Sequence, residues 1–265
     1  MKKAFKILFI LTTVLTVGAF WGAIAYVYVQ KDTMGEIPLG CFLKEKVGVV
    51  RLHGAIDIDE NPAAGTVSGD RIAYLIDILE QNKSIHTIVL DIDSPGGTPV
   101  AAETIMQAML RSKKKTVALV RNVAASGGYM AAVGASEIYA SAFSEVGSIG
   151  ITMSYLDQSK KDEAEGLTYV QLSTGKYKDT GSPDKAITEE EKTLLKKGLQ
   201  NAHDFFVSLV SDHRKIPKEE VEKLADGSTL PASEALTHKL IDKIGNLSDV
   251  LVASDAGPTE YCYMN

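Results

Sequence analysis

The chain has 265 residues, of which 45% are hydrophobic, so it is long enough to bury the core of one large domain or two modest ones. Its formal net charge is -6, and its basic residues are spread along the chain instead of forming a patch. Because nucleic-acid binding needs such a basic surface, we expect no nucleic-acid partner.

Neither the cysteines nor the histidines form a pattern typical of metal binding. Cys41 and Cys262 lie near opposite ends of the chain, without a metal-ligand spacing or a disulfide framework, and we interpret them as two unpaired thiols. There is no His-x-x-x-His spacing, so we interpret the histidines as surface or packing residues. These are His53, His86, His203, His213 and His238. The sequence therefore predicts no metal and no cofactor.

Residues 7–29 form an uncharged, largely apolar stretch near the N-terminus. A helix rises about 1.5 Å per residue, so this stretch is long enough to cross a hydrocarbon core of about 30 Å. Lysines precede it at positions 2, 3 and 6, whereas acidic residues follow at positions 32 and 36. The positive-inside rule predicts a single-pass anchor in the cell membrane, with the N-terminus cytoplasmic and the remaining chain extracytoplasmic.

A cleavable signal peptide is the alternative interpretation of this stretch. Ala23 and Ala25 form the small-x-small pattern of a cleavage site. The apolar run nevertheless continues through Val29, beyond the point where a signal peptide normally ends, so we favour a retained anchor. We therefore assign residues 1–29 to a cytoplasmic stub and a transmembrane helix, or to a signal sequence. Residues 30–45, which mix glycine, proline and polar residues, are assigned to a linker.

Predicted strands and helices alternate along residues 46–250, the predicted folded domain, which is followed by a tail of residues 251–265. Such alternation predicts an α/β fold with parallel strands joined by helical crossovers. The predicted strands are Val47–Leu52, Thr87–Ile92, Thr116–Val120, Ile138–Ala140 and Leu167–Leu172. The predicted helices are Asp70–Leu79, Pro99–Leu110, a helix after Gly127, Tyr155–Ala164, a helix from the capping box of Thr188 and Glu191 to about His213, Pro217–Leu224 and Ala232–Leu240.

The first candidate motif, residues 93–97 (Asp-Ser-Pro-Gly-Gly), follows the predicted strand Thr87–Ile92. It is either an ordinary loop punctuated by proline and glycine, or a turn whose backbone N–H groups form a concavity that stabilises negative charge. The second interpretation rests on the consecutive glycines Gly96 and Gly97. Turns that follow neighbouring parallel strands lie at one sheet edge, where α/β proteins usually have their sites.

The second motif, residues 124–129 (Ala-Ala-Ser-Gly-Gly-Tyr), lies between an apolar strand and a helix of small residues. Ser126 is therefore either a helix N-cap or a nucleophile. A nucleophile is well placed there, because unpaired backbone N–H groups of the first helical turn can stabilise an oxyanion. The following glycines let a substrate backbone approach closely.

Ser148, within residues 146–150 (Val-Gly-Ser-Ile-Gly), is the third candidate. Its hydroxyl either bonds to the backbone of a loop or orients a lysine amine. The second role corresponds to that of the third group in a catalytic triad.

The fourth motif, residues 175–179 (Gly-Lys-Tyr-Lys-Asp), supplies a candidate general base. A lysine acts as a base only when it is neutral, so its pKa must fall from about 10.4, chiefly through burial in an apolar pocket. Lys176 and Lys178 point the same way in an extended segment, and the residues alone leave both open. The base hypothesis also requires the Asp179 carboxylate to point away from the amine. An exposed charged turn is the alternative interpretation.

Together, and in this order, the four motifs resemble those of the bacterial signal peptide peptidase A family. The resemblance extends from Val47 to about Gly245 and includes Leu-Ala-Asp-Gly at residues 224–227. It implies that residues 46–250 form a peptidase domain with the fold of the Clp protease proteolytic subunit and the crotonases, a spiral of ββα units.

The resemblance also implies a role for each candidate residue. Ser126 matches the family's nucleophile and Lys178 its general base, while Ser148 matches the hydroxyl that holds the lysine. The oxyanion-hole donors match Gly97 and Gly127, with Gly96 as a further candidate.

Members of the family cleave remnant signal peptides and other hydrophobic peptides at the lipid bilayer, as ring-shaped homo-oligomers, so the resemblance implies these partners here. Some members are tandem duplications, whereas this chain carries Ser126 and Lys178 in a single copy. This leaves open whether the Ser/Lys dyad lies within one subunit or is shared between neighbours. The alternative functions are a crotonase-like acyl-CoA enzyme and a catalytically inactive membrane scaffold.

Overall fold

The computed structural model describes residues 45–264. The predicted transmembrane stretch, residues 7–29, and nearly all of the predicted linker lie outside these residues. None of the helices formed by residues 45–264 has the length and hydropathy of a membrane span.

Strands and helices alternate along the described chain. The strands are β1 (Val47–His53), β2 (Ala55–Asp57), β3 (Thr66–Ser68), β4 (Thr87–Ser94), β5 (Lys115–Ala125), β6 (Glu137–Ala140), β7 (Glu145–Gly147), β8 (Thr229–Pro231), β9 (Lys243–Ile244) and β10 (Tyr261–Met264). The helices are α1 (Gly69–Gln81), α2 (Pro99–Arg111), α3 (Gly127–Val133), α4 (Ser159–Ala164), α5 (Glu189–Arg214), α6 (Lys218–Leu224), α7 (Ala232–Thr237) and α8 (Leu247–Ala253).

An eight-stranded sheet forms the centre of the fold, with six of its strands in the order β10-β1-β4-β5-β6-β9 and each neighbouring pair parallel. The last residues of β5 continue beyond β6 and pair with β7, which in turn pairs antiparallel with β8. The predicted α/β fold with a mainly parallel sheet is therefore confirmed.

Both faces of the sheet are covered, as the apolar runs of β1 and β4 predict for a parallel sheet. Helices α1, α2, α3 and α5 contribute to the larger core on one face, which includes Leu52, Met106, Tyr129 and Phe206. Helix α8 covers part of the other face, where Val250 belongs to a smaller apolar cluster. This leaves the carboxyl ends of β4, β5 and β7 at one edge of a rigid sheet.

Most of the predicted elements are confirmed, with boundaries that differ by a few residues. The predicted strand Thr116–Val120 extends to Ala125, so it ends directly before Ser126. The capping box of Thr188 and Glu191 begins α5, because each side chain accepts a hydrogen bond from the backbone of the other residue.

The predicted strand Leu167–Leu172 is wrong, and the predicted helix Tyr155–Ala164 is shortened to α4. Residues 167–173 have no regular secondary structure, and Leu172 is 93% exposed. Alternating apolar residues favour a strand only where a neighbouring strand supplies hydrogen bonds and a buried face. Within the described chain this segment has neither.

The predicted C-terminal tail contains the last strand of the sheet. Strand β10 pairs with β1 at the sheet edge, with Cys262 opposite Gly48. Cys262 is disulfide-bonded, so the interpretation of two unpaired thiols is wrong. The other cysteine of the chain, Cys41, lies outside the described residues. Sequence spacing gave no signal for this bond, because long-range strand pairing brings the C-terminus to the N-terminal side of the domain.

Candidate active site

Three turns meet where β4, β5 and β7 end. In the parallel ladders, Ser94 is paired with Ala124, and Ala125 with Gly147. The Ser-Pro-Gly-Gly turn, Ser126 and Ser148 therefore follow neighbouring strands at the same level. The expectation that the Ser-Pro-Gly-Gly turn and the Ser126 turn share one sheet edge is confirmed, and Ser148 lies at the same edge.

Ser126 occupies the sharp turn between β5 and α3. Its backbone has φ 50° and ψ −118°, a conformation that residues other than glycine rarely adopt. The Ser126 N–H donates to the Gly147 carbonyl at 2.8 Å, and the Ser126 carbonyl accepts from the Met130 N–H at 2.9 Å. The hydroxyl makes no capping hydrogen bond. A nucleophile requires a hydroxyl that is not used in this way.

Tyr129 anchors the helix that follows Ser126. Its hydroxyl donates to the Leu240 carbonyl at 2.9 Å, and its side chain is completely buried. Burial raises the pKa of this phenol far above its ordinary value, so it stays protonated and keeps donating. Helix α3 is thus fixed at its first turn.

The Gly96–Gly97 turn lies directly against Ser126 and Gly127. A Cβ added to Gly96 would lie 2.7 Å from the Gly127 nitrogen, and one added to Gly127 would lie 3.2 Å from the Gly97 nitrogen. Gly96 also has φ 99°. Gly96 therefore has no room for a side chain and adopts a backbone conformation that favours glycine, whereas a side chain on Gly127 would make a tight contact with the glycine turn.

The glycine N–H groups divide into engaged and unengaged donors. The Gly96 N–H donates to Ser94 Oγ at 3.1 Å. Ile56 bonds to both neighbours of Gly97, accepting from the Thr98 N–H at 2.8 Å and donating to the Gly96 carbonyl at 2.8 Å. Among residues 45–264, the N–H groups of Gly97 and Gly127 have no hydrogen-bond acceptor. These two groups are the donors that an oxyanion beside Ser126 could use.

Ser148 is held by the loop that precedes β8. Its N–H donates to the Ser228 carbonyl at 2.8 Å, and its Oγ donates to the Gly227 carbonyl at 2.9 Å. Its backbone has φ 51°. Ser148 is therefore fixed in position beside Ser126, and its hydroxyl oxygen can still accept a proton donor.

A cavity of about 580 Å³ opens beside the two serines. Its lining combines small, apolar and polar residues, namely Pro95, Gly97, Ser126, Ser148, Gly150, Ile151, Thr152, His203, Ala225, Asp226 and Gly227. A space of this size and mixed lining is suitable for part of a peptide.

Two polar residues, His203 and Asp226, line this cavity although the sequence did not predict that they belong to the site. His203, which was interpreted as a surface or packing residue, lines the cavity and bonds through Nε2 to the Ala225 carbonyl at 2.9 Å. Asp226 accepts hydrogen bonds from the hydroxyl and the N–H of Ser228, and these bonds lower the pKa of its carboxyl group. Both residues reach the site from elements far along the chain, which strand-end patterns do not reveal.

The structure does not bring Lys178 to Ser126 within the described chain. Lys178 is exposed in a turn, where its N–H donates to the Gly175 carbonyl at 3.1 Å, and it is not part of the cavity lining. Lys176 differs from it, because its ammonium bonds to Glu190 at 2.5 Å. Asp179 accepts hydrogen bonds from Tyr169, Gln171 and Lys185.

Ser126 has a hydroxyl that makes no capping hydrogen bond, and it lies beside unengaged N–H groups at a strand-to-helix turn. This arrangement is typical of a serine-hydrolase site. The family model for Clp protease matches residues 56–145, which contain both the glycine turn and Ser126. The model for peptidase family S49 matches residues 108–257, more than half of the chain. The chain belongs to peptidase family S49, a family of serine proteases, and the recognised resemblance to signal peptide peptidase A is confirmed.

Named proteases are among the relatives of the chain. A protein of Methanocaldococcus jannaschii that is named as a protease is 32% identical over 95% of this chain and 81% of its own length. "Serine protease SPPA, chloroplastic" of Arabidopsis thaliana is 28% identical over 77% of this chain and 31% of its own length. "Protease 4" of Salmonella typhi is 30% identical over 77% of this chain and 33% of its own length. The chain therefore spans only about a third of the last two relatives.

The strained backbone of Ser126 predicts different stabilities for two hydroxyl-free variants. Ser126→Gly should raise the free energy of unfolding by about 1 kcal/mol, because glycine adopts this conformation without strain. Ser126→Ala retains a Cβ and hence the strain, so its stability should stay close to that of the unchanged protein. Urea unfolding of both variants checks this prediction. A glycine variant no more stable than the alanine variant would show that the backbone is unstrained.

Proposed function

We propose that this chain is a membrane-anchored serine endopeptidase, which hydrolyses peptide bonds in hydrophobic peptides such as remnant signal peptides. The observation that carries the proposal is the Ser126 hydroxyl, which is not used for capping and lies beside the unengaged N–H groups of Gly97 and Gly127. The alternation of strands and helices and the Clp protease match support a spiral of ββα units as the fold.

The proposed reaction uses a Ser/Lys dyad. The neutral amine of Lys178 takes the proton of Ser126 Oγ, which attacks the scissile carbonyl. The N–H groups of Gly97 and Gly127 stabilise the resulting oxyanion, and loss of one such donor costs about 3 kcal/mol in comparable sites. The lysine then returns the proton to the leaving amine. Water, activated by the same amine, hydrolyses the acyl-enzyme and restores Ser126.

The remaining candidate residues have supporting roles. Ser148 orients the amine, and its fixed backbone beside Ser126 supports this role. Gly96 shapes the oxyanion hole instead of donating to it, because its N–H already donates to Ser94. Apolar lining residues, such as Pro95, Ile151 and Ala225, support a preference for hydrophobic peptides.

The dyad is proposed to form between neighbouring subunits of a ring-shaped homo-oligomer. A lysine base must be desolvated, whereas Lys178 is exposed in the described subunit and lies outside the Ser126 cavity. The surrounding segment also exposes large apolar side chains, among them Leu156, Val170 and Leu172. Contact with a second copy would bury these side chains and supply the apolar pocket that the base needs.

The proposed location is the outer side of the cell membrane, with a single-pass anchor in residues 7–29 and a cytoplasmic N-terminus. The apolar stretch and its flanking charges support this orientation. The disulfide bond of Cys262 adds independent support, because disulfides persist in extracytoplasmic, oxidising compartments.

Substitutions in the dyad test the proposed reaction. Ser126→Ala and Lys178→Ala should each lower kcat/KM for a hydrophobic peptide by about 10³-fold or more, because each removes a group that acts in the transition state. Lys176→Ala is the matched control, since this lysine is bonded to Glu190, and it should retain activity. Circular dichroism checks that all three variants fold. Undiminished turnover by Lys178→Ala would refute its role as the base.

Mixing two inactive variants tests whether the dyad is shared. Ser126→Ala subunits retain the lysine, and Lys178→Ala subunits retain the serine. If neighbours share the dyad, oligomers reassembled from an equal mixture should recover up to about a quarter of full activity, because half the subunits offer each group. Native mass spectrometry verifies that subunits have exchanged. Mixed oligomers without activity would place the complete dyad within one subunit.

A further inference from the structure

The segment that carries Lys178, residues 152–188, is mostly exposed, and we call it the lysine arm. One charged cluster at its base is nevertheless shielded from solvent. The side chains of Glu191, Asp179 and Lys185 are only 5%, 14% and 19% exposed. Charged groups are rarely shielded to this extent unless they are paired.

Lys185 lies at the centre of this cluster and bonds to two carboxylates. Its Nζ lies 2.7 Å from Glu191 Oε1 and 3.1 Å from Asp179 Oδ1. Glu191 also accepts hydrogen bonds from the Thr180 hydroxyl at 3.2 Å and from the Thr188 N–H at 3.0 Å. The cluster therefore joins the Lys178 turn, the segment before α5 and the first turn of α5.

Helix α5 provides a rigid attachment for the arm. Phe206 and Val207, further along this helix, are buried in the main core, and His203 lines the cavity beside Ser126. A contact with the first turn of α5 thus fixes the base of the lysine arm to a helix that also contributes to the Ser126 cavity. Glu191 remains ionised in this contact, because the hydrogen bonds from Lys185 and Thr188 lower its pKa to about 2.

The cluster also keeps the carboxylate next to Lys178 occupied. Besides Lys185, Asp179 accepts hydrogen bonds from the Tyr169 hydroxyl at 3.0 Å and the Gln171 amide at 2.7 Å. A lysine base requires its neighbouring aspartate to be turned to other partners, since an ion pair would favour the charged amine. Lys185 provides both the attachment and one of these partners.

We propose that Lys185 is a positioning residue for the proposed reaction: its ammonium group joins Asp179 to Glu191 and thereby holds the turn that presents Lys178. This role rests on the proposed function of Lys178 as general base. Lys185 itself touches neither the substrate nor Ser126.

Lys185→Met tests the proposal, because it keeps the unbranched apolar stem of the side chain but removes the charged ammonium group. We expect kcat for a hydrophobic peptide to fall about tenfold or more with little change in KM, since the turn is misplaced while the cavity stays intact. Lys185→Arg should restore most of the activity, because a guanidinium can also bond to both carboxylates. Lys192→Met is the matched control. Lys192 pairs with Glu189 in the same helical turn, but it is 46% exposed.

Hydrogen exchange of the amides at residues 176–181 provides a readout that is independent of activity. Exchange should be faster in Lys185→Met than in the unchanged protein or in Lys192→Met. If Lys185→Met does not fold, Glu191→Gln replaces it, because this change removes the same ion pair with little change in shape. If the unsubstituted protein does not hydrolyse peptides, the proposed function is refuted. If amide exchange at residues 176–181 is equally fast in Lys185→Met and in the unsubstituted protein, only the attachment of the turn by Lys185 is refuted.

Two outcomes would overturn the positioning role. One is faster exchange with an unchanged kcat, which would make the ion pairs merely structural. The other is an equal fall of kcat in Lys192→Met, which would make the effect a general consequence of lost charge.

Discussion

The close approach of two backbone turns, Gly96–Gly97 and Ser126–Gly127, holds the candidate active site together. The glycine turn has no room for side chains, since a Cβ at Gly96 would lie 2.7 Å from the Gly127 nitrogen and one at Gly97 would lie 2.0 Å from the Ile56 carbonyl oxygen. The parallel pairing of β4, β5 and β7 fixes both turns at one sheet edge and fixes Ser126 in an unfavourable backbone conformation. The same arrangement leaves two N–H groups unengaged. Strain and unpaired donors are tolerated because the surrounding sheet and helices are buried on both sides.

The candidate site combines a rigid part and an exposed part. Ser126, the unengaged donors and Ser148 all belong to the sheet edge, where strand pairing determines their positions. Lys178 belongs to the lysine arm, which has little buried surface apart from the cluster around Lys185 and Glu191. A base that must be neutral gains nothing from an exposed position. A neighbouring subunit would provide both the missing burial and the contact with Ser126, so assembly and activity are coupled in our proposal.

Local patterns predicted the elements and turns around Ser126, because strand runs, glycine pairs and the Thr188–Glu191 capping box are specified by adjacent residues. Long-range features were not predictable in this way. Strand β10 and the disulfide bond of Cys262 depend on pairing between opposite ends of the chain, and His203 reaches the cavity from a distant helix. The prediction of a strand at Leu167–Leu172 was wrong because an apolar pattern does not specify whether a neighbouring strand is present to pair with it. The positive φ of Ser126 was not predictable either, because no residue adjacent in the sequence requires this backbone conformation.

Labelling with an activated phosphonate tests most directly whether Ser126 is a nucleophile activated by Lys178. The reagent forms a covalent bond with an activated serine, and mass spectrometry of the digested protein locates the adduct. Our account predicts an adduct on Ser126 in the unchanged protein and much slower labelling in Lys178→Ala. An adduct on a different serine, or equally fast labelling of both proteins, would contradict it.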